Sequence, residues 1–237
     1  MLSYANMGHV KASELRAKAR AEMIEEIKAV ARKHLATDGA NLSLRAVARD
    51  MGMVSSAIYR YVPSRDELLT ALIIDAYNAL GEAVESAEAR IPRDDLTGRW
   101  IAACHAVRHW ALAAPHQYAL IYGSPVPGYQ APRDTVPAAI RTVAVLGGIL
   151  QDGMTSGALV LAAEDELADV VAAEVSRVAE VICPDVPPSL LSRGMGAWVQ
   201  LFGMVSFELF GQFNNTIEDR WAFFDHQMRT QAAFVGL

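Results

Sequence analysis

Between Leu42 and Leu72 the chain carries punctuation that only short, tightly turned helices satisfy. Leu44, Val47, Ala48 and Met51 recur at the spacing of one helix face, and Gly52 ends the run. Ser43, just ahead, offers a side-chain oxygen to the helix's first unpaired N–H groups. Ser55 or Ser56 is expected to cap a third helix bearing Ile58, Tyr59 and Tyr61, which Pro63 cannot continue. Ser64 and Glu67 then have the spacing of a capping box. They open a fourth, long helix through Leu68, Leu72, Ala76 and Leu80 to about Glu88. Upstream, Met23, Ile24, Ile27, Val30, Ala31 and Leu35 form one apolar stripe ending near Asp38-Gly39, which is helix one.

The rest of the chain keeps helical periodicity, and no run alternates as a strand. Expected spans are Leu96 to Ala114, His116 to Tyr122, Val136 to Met154, Glu164 to Ile182, Ser189 to Phe213 and Glu218 to Phe234. A proline-bearing loop, "SPVPGYQAPRD", separates the second from the third. The expected fold class is therefore all-α, and the 52% hydrophobic content can supply a core.

A helix, a glycine turn and a short second helix form a helix-turn-helix, whose second helix lies in the DNA major groove. Val47, Ala48 and Ile58 would point inward, leaving Ser55, Ser56, Tyr59, Arg60 and Tyr61 outward. Those side chains donate hydrogen bonds and include no carboxylate, which suits a phosphate-lined groove. Charge agrees: residues 1–70 hold eleven Lys and Arg against eight Asp and Glu, a net +3, while the remainder carries −9. The acidity of the whole chain, −6, belongs to the body.

The stretch "LSLRAVARDMGMVSSAIYRYVPSRDELLTAL" resembles the helix-turn-helix of the tetracycline-repressor (TetR) family of transcriptional regulators, with the likeness extending over about residues 15 to 75. The family pairs two aromatics, here Tyr59 and Tyr61, with a short turn and a basic residue opening helix four, here Arg65. Val62 stands where phenylalanine is usual, and Arg65 where lysine is commoner. The resemblance implies phosphate contacts from Ser43, Tyr59, Tyr61 and Arg65, and base contacts from Arg45 and from the first turn of helix three. It implies a DNA-binding domain over residues 1–63 and an effector-binding, dimerising helical bundle over 64–237. In the body, "AWVQLFGMVSFELFG" resembles the Trp-His-Gly segment of one class of family C-terminal domain, with Phe202 in place of the histidine.

The expected protein is a cytoplasmic homodimer that binds a palindromic operator and is released by a small hydrophobic effector. An activator, or an effector-independent DNA-binding protein with the same head, is the alternative. Ile101, His105, His109, Leu112, Tyr118 and Tyr122 mix apolar walls with a few polar groups and are the expected ligand-binding residues. Glycines inside the helix from Ser189, Gly194 among them, point to a close helix approach at a dimer face or a pocket wall. His105 and His109 lie one turn apart beside Cys104, but lack a third local ligand, so no metal is expected. No cofactor, nucleophile motif or phosphate loop is legible, and no enzyme is expected. Neither a leader peptide nor a membrane span is expected, and two cysteines at no metal-like spacing fit a reducing compartment.

Overall fold

The structure, a computed structural model, describes residues 4–38, 42–160 and 167–237. Among them are helices α1 (Tyr4–Asp38), α2 (Leu44–Asp50), α3 (Ser55–Ile58), α4 (Arg65–Glu88), α5 (Leu96–Ala113), α6 (Pro115–Tyr122), α7 (Val136–Ala139), α8 (Arg141–Ser156), α9 (Asp169–Ile182), α10 (Pro188–Leu209) and α11 (Arg220–Phe234). There is no strand among the described residues, and the fold is all-α. No helix among them is long and apolar enough to cross a membrane.

The chain divides into two compact units. The first runs to Asp75 and takes in Ala119–Pro132; the second comprises Ala76–Tyr118 and Arg133–Leu237. The division differs from one at residue 63 because the opening turns of α4 belong to the head's core. Leu68, Leu69 and Leu72 are buried with Ile27 and Ala31 of α1, Val47 and Ala48 of α2, and Ile58. Val126 joins them from the proline-bearing segment, where the Tyr129 and Thr70 hydroxyls lie 2.8 Å apart.

Local chemistry sets the ends of the head's helices. The Ser43 hydroxyl accepts from the Ala46 N–H, and Gly52 turns the chain at φ 67°, a conformation that side chains with a Cβ rarely adopt. The Ser64 hydroxyl accepts from the Glu67 N–H at 3.1 Å, as the capping-box spacing requires. The expected cap of α3 needs correction: Val54 occupies that position in extended backbone, without a side-chain bond, and Ser55 and Ser56 are already helical. Lys28 is buried against Asp75 at 2.8 Å and Glu25 at 2.6 Å. Burial alone would lower its pKa, but the two carboxylates outweigh it and hold the ammonium above its ordinary value.

In the second unit, Asp95 and Asp219 cap α5 and α11 by accepting from the N–H groups of Gly98 and Ala222. Arg99, almost wholly buried on α5, donates to Glu88 at 2.5 Å and pairs with Asp152 at 2.8 Å. Arg141 at the start of α8 grips Glu85 through two nitrogens and also donates to the Asn78 carbonyl on α4. The helix expected over Val136 to Met154 is divided at Ile140, which closes α7 and opens α8 while staying in right-handed helical backbone. The helix expected to reach Phe213 ends at Leu209, because Gly211 at φ 84° leaves the helical region. α9 is described from Asp169; Gly39 and Glu164, placed by sequence at helix boundaries, lie outside the described residues.

Candidate nucleic-acid interface and internal cavity

α2 and α3 are too short to be stable alone, and their inward faces fix them on α1 and α4. Val47, Ala48 and Ile58 have no exposed surface, and Ala57 is buried beside them. The opposite face of α3 is therefore displayed. Ser55, Ser56 and Arg60 are exposed, and Tyr59 keeps 43% of its surface. Ser43 and Arg45 at the start of α2 are also exposed. Tyr61 differs from its neighbour: it is half-buried and packs against the core. Arg65 is half-buried, and its Nε donates to the Leu42 carbonyl at 3.2 Å, which ties the head of α4 to the segment before α2.

Sequence reasoning missed Arg20. Its guanidinium donates to the Arg60 carbonyl at 2.6 Å and lies 5.6 Å from the centre of the Tyr61 ring. The end of α3 is thus clasped from α1 by a side chain that satisfies carbonyls left open where a helix stops. The only signal was the basic run from Lys11 to Arg20, which said nothing of a partner forty residues away.

In the second unit a cavity of about 240 Å³ lies among four helices. Trp100 comes from α5, Val143, Leu146, Gly147 and Leu150 from α8, Val178 and Ile182 from α9, and Leu191, Gly194, Met195 and Trp198 from α10. Two glycines of the lining sit where the wall side chains approach closely. A Cβ on Gly147 would sit 2.9 Å from Ile182 Cγ2, and one on Gly194 3.0 Å from Leu150 Cδ1. No lining residue is charged. Trp100 is 1% exposed, and its indole Nε1 has no hydrogen-bond partner among the described residues.

None of the six residues expected to bind a ligand lines this cavity. His105 and His109 border a shallower groove with Trp110 and alanines of α4 and α5. Ile101 is buried, and Leu112 stands 40% exposed. Tyr118 is fully buried, with its hydroxyl donating to the Phe202 carbonyl at 3.0 Å and 2.9 Å from the Ser206 hydroxyl. Burial pushes its pKa up to about 12, against a smaller opposing effect of Ser206. Tyr122 is half-buried in the segment that belongs to the first unit.

Phe202, in the position where the resemblance led to a histidine, stacks on Tyr118 at 6.5 Å and meets Trp198 at 5.9 Å. The His105 Nε2 lies 3.0 Å from Asp225 Oδ1, and its ring is 4.6 Å from that of Trp221. Burial lowers the His105 pKa, Asp225 opposes this, and His109 and Arg229 add to the lowering. No group of three metal-ligating side chains occurs among the described residues.

A capped helix, a glycine turn and a short helix with a polar exposed face define the helix-turn-helix class of DNA-binding proteins. Residues 100–231 match the family model described as "Tetracyclin repressor-like, C-terminal domain", and the chain belongs to the TetR family of transcriptional regulators. It is 37% identical over 221 residues to the HTH-type transcriptional regulator Rv1816 of Mycobacterium tuberculosis, across 92% of this chain and 94% of that one. The HTH-type transcriptional regulator Mb1846 of Mycobacterium bovis is similar to the same extent. Among solved structures, the regulatory protein SCO4313 superposes with a TM-score of 0.76 at 34% identity, covering 92% of this chain and 98% of that one. RolR in complex with resorcinol shares the fold, with a TM-score of 0.52 at 16% identity over 92% and 94% of the two chains. The protein is a DNA-binding transcriptional regulator, and its relatives are regulators rather than enzymes.

Proposed function

We propose that this regulator is a cytoplasmic repressor, released from a palindromic operator when a small apolar effector occupies the cavity between α5, α8, α9 and α10. The observation that carries the reading is the cavity itself: uncharged and walled by two tryptophans and six aliphatic side chains, with Gly147 and Gly194 also in its lining. Pockets of this composition hold small molecules by burying their surface. Ligand binding acts on DNA affinity only through a difference in affinity between two states of the protein. α4, 24 residues and about 36 Å long, is the helix that both units share.

The DNA contacts proposed are Ser43, Tyr59, Tyr61 and Arg65 to phosphate, with Arg45, Ser55, Ser56 and Arg60 toward bases. A two-fold dimer would set two such heads on successive major grooves, about 34 to 36 Å apart. Support for a dimer comes from apolar surface on the last long helices. Val170 and Val181 of α9 and Val199 and Phe207 of α10 are all more than half exposed. Burying such side chains against a second copy is the ordinary way to remove that surface from water.

The experiment is a titration of the protein on its selected operator, with and without a panel of small neutral aromatics, for wild type and Gly147→Leu. Release of wild type but not of the filled variant supports the reading. Equal release of both places the effector elsewhere. Binding that no compound disturbs favours the effector-independent alternative, and transcription rising with occupancy favours an activator.

A further inference from the structure

The basic part of α1 lies outside the head's core. From residue 13 to residue 22 every side chain is exposed, whereas Met23, Ile27 and Ala31 pack into the core against α2 and α3. Back along the helix, Arg20 and Arg16 follow Met23 at steps of three and four residues, so they continue the packed side past the point where the core ends. Ser13 and Ala17 share that side, which therefore carries two guanidiniums and no carboxylate. Glu14, Lys18 and Glu22 form a separate line at four-residue steps on the opposite side, where the Lys18 Nζ lies 3.9 Å from Glu22 Oε1. The acids and bases of this stretch are thus sorted, with the cationic side turned the same way as the helix-turn-helix.

Arg20 fixes where that side looks. Its guanidinium donates to the Arg60 carbonyl and lies beside the Tyr61 ring, at the end of the helix whose exposed face carries Ser55, Ser56 and Tyr59. Arg16 stands one turn further out, about 6 Å along the axis, past the end of α3. A major groove that receives α3 is bordered on both sides by phosphates, and an arginine can meet a phosphate with two parallel hydrogen bonds.

We propose that Arg16 is a DNA-contacting residue, its guanidinium meeting a backbone phosphate at the edge of the groove that α3 enters. This rests on the assignment of the exposed face of α3 to DNA and adds to it a contact from outside the helix-turn-helix. The contact supplies affinity and register without reading sequence.

The test is binding of the full-length protein to a duplex bearing its selected operator, followed against salt for wild type, Arg16→Gln, Arg16→Lys and Lys18→Gln, with Tyr59→Phe and Ser56→Ala as probes of α3. Arg16→Gln and Lys18→Gln remove the same charge from opposite sides of one helix, so a merely long-range effect of charge would weaken both alike. Arg16→Gln should lose about three- to tenfold in affinity and reduce the slope of log K against log salt by about one for each bound head. Arg16→Lys should keep most of the slope, because the charge remains. Lys18→Gln should stay within about twofold of wild type. All the variants should keep the wild-type thermal midpoint, since the substituted side chains are exposed. Neutral methylphosphonate groups placed one at a time along the operator locate the contact: at one position the substitution should weaken wild type several-fold and Arg16→Gln hardly at all.

Full affinity and slope in Arg16→Gln, an equal loss in Lys18→Gln, or a methylphosphonate profile that Arg16→Gln leaves unchanged would each overturn the inference. Weakened binding in Tyr59→Phe and Ser56→Ala with none of the Arg16 effects would overturn it while leaving the α3 assignment standing. Full affinity in both α3 variants, with the Arg16 effects present, would refute that assignment and leave Arg16 on the phosphate.

Discussion

Arg108 on α5 and Glu208 on α10 meet as a buried bidentate ion pair, Nε 2.7 Å from Oε2 and Nη2 2.6 Å from Oε1, across a hundred residues of chain. The guanidinium also lies 5.3 Å from the Trp221 ring and 5.5 Å from the Phe224 ring on α11. Three helices thus converge on one charge. Glu208→Gln leaves that charge buried without a full counter-ion and should cost about 3 kcal/mol or more. For a chain of this size the thermal midpoint should fall by roughly 6 to 12 °C. Arg108→Met combined with Glu208→Leu should recover most of the loss, because neither charge is then buried. Calorimetry of wild type and the two variants checks this; a double variant no better than the single would contradict it.

Arg20 predicts a local effect in the head. Arg20→Met removes donors from the carbonyls of Arg60 and Tyr61 but little core, since the bonds are exposed. Global stability should fall by no more than about 1 kcal/mol. Amide exchange at residues 59–62 should quicken several-fold, because the end of α3 loses its clasp. Arg20→Lys should rescue only part, as an ammonium cannot bridge two carbonyls and stack at once. Unchanged exchange in Arg20→Met would contradict the clasp.

The head was legible in the sequence because its determinants act over short range. Ser43, Gly52 and Ser64 each do their work within three or four residues, and Val47, Ala48 and Ile58 declare their inward face by spacing alone. Even there the cap of α3 was misplaced, since hydroxyl chemistry favoured Ser55 or Ser56 whereas the turn bond from the Ala57 N–H goes to the Val54 carbonyl. The cavity was not legible. Its walls come from α5, α8, α9 and α10, up to ninety-eight residues apart, and periodicity cannot tell an aromatic facing a void from one facing a neighbour. Gly194 was the nearest clue, costly in a helix and now seen on the cavity wall. The Tyr118 hydroxyl looks available in sequence, but it bonds the Phe202 carbonyl and lies against the Ser206 hydroxyl.

His105 sets a pH dependence. Burial holds its folded pKa below the ordinary value of 6.5, so the unfolded chain binds a proton more readily than the native one. The contribution to stability is complete above about pH 6.5 and is lost as pH falls toward the folded pKa. His105→Gln should flatten the fall in thermal midpoint between pH 7.5 and about pH 5 relative to wild type. A variant whose midpoint falls as steeply as wild type would show that other groups govern this window.

The two cysteines should be inert in the folded protein. Burial pushes the pKa of both thiols up, and Cys104 has no exposed surface. The thiolate is the reactive form, so iodoacetamide at pH 8 should label neither residue until denaturant is added. Mass spectrometry of native protein showing rapid alkylation at Cys104 would contradict its placement.

The most direct measurement is affinity for an operator selected from random duplexes, followed against salt for wild type, Tyr59→Phe and Ser56→Ala. The expected site is a palindrome with half-sites one helical turn apart, and log K should fall linearly and steeply with log salt as phosphate contacts release counter-ions. Tyr59 is exposed at the end of α3 and Ser56 carries no core role, so both variants should keep the wild-type thermal midpoint while losing about three- to tenfold in affinity. No enriched sequence, a flat salt response, or full affinity in both variants would contradict the assignment of this face to DNA.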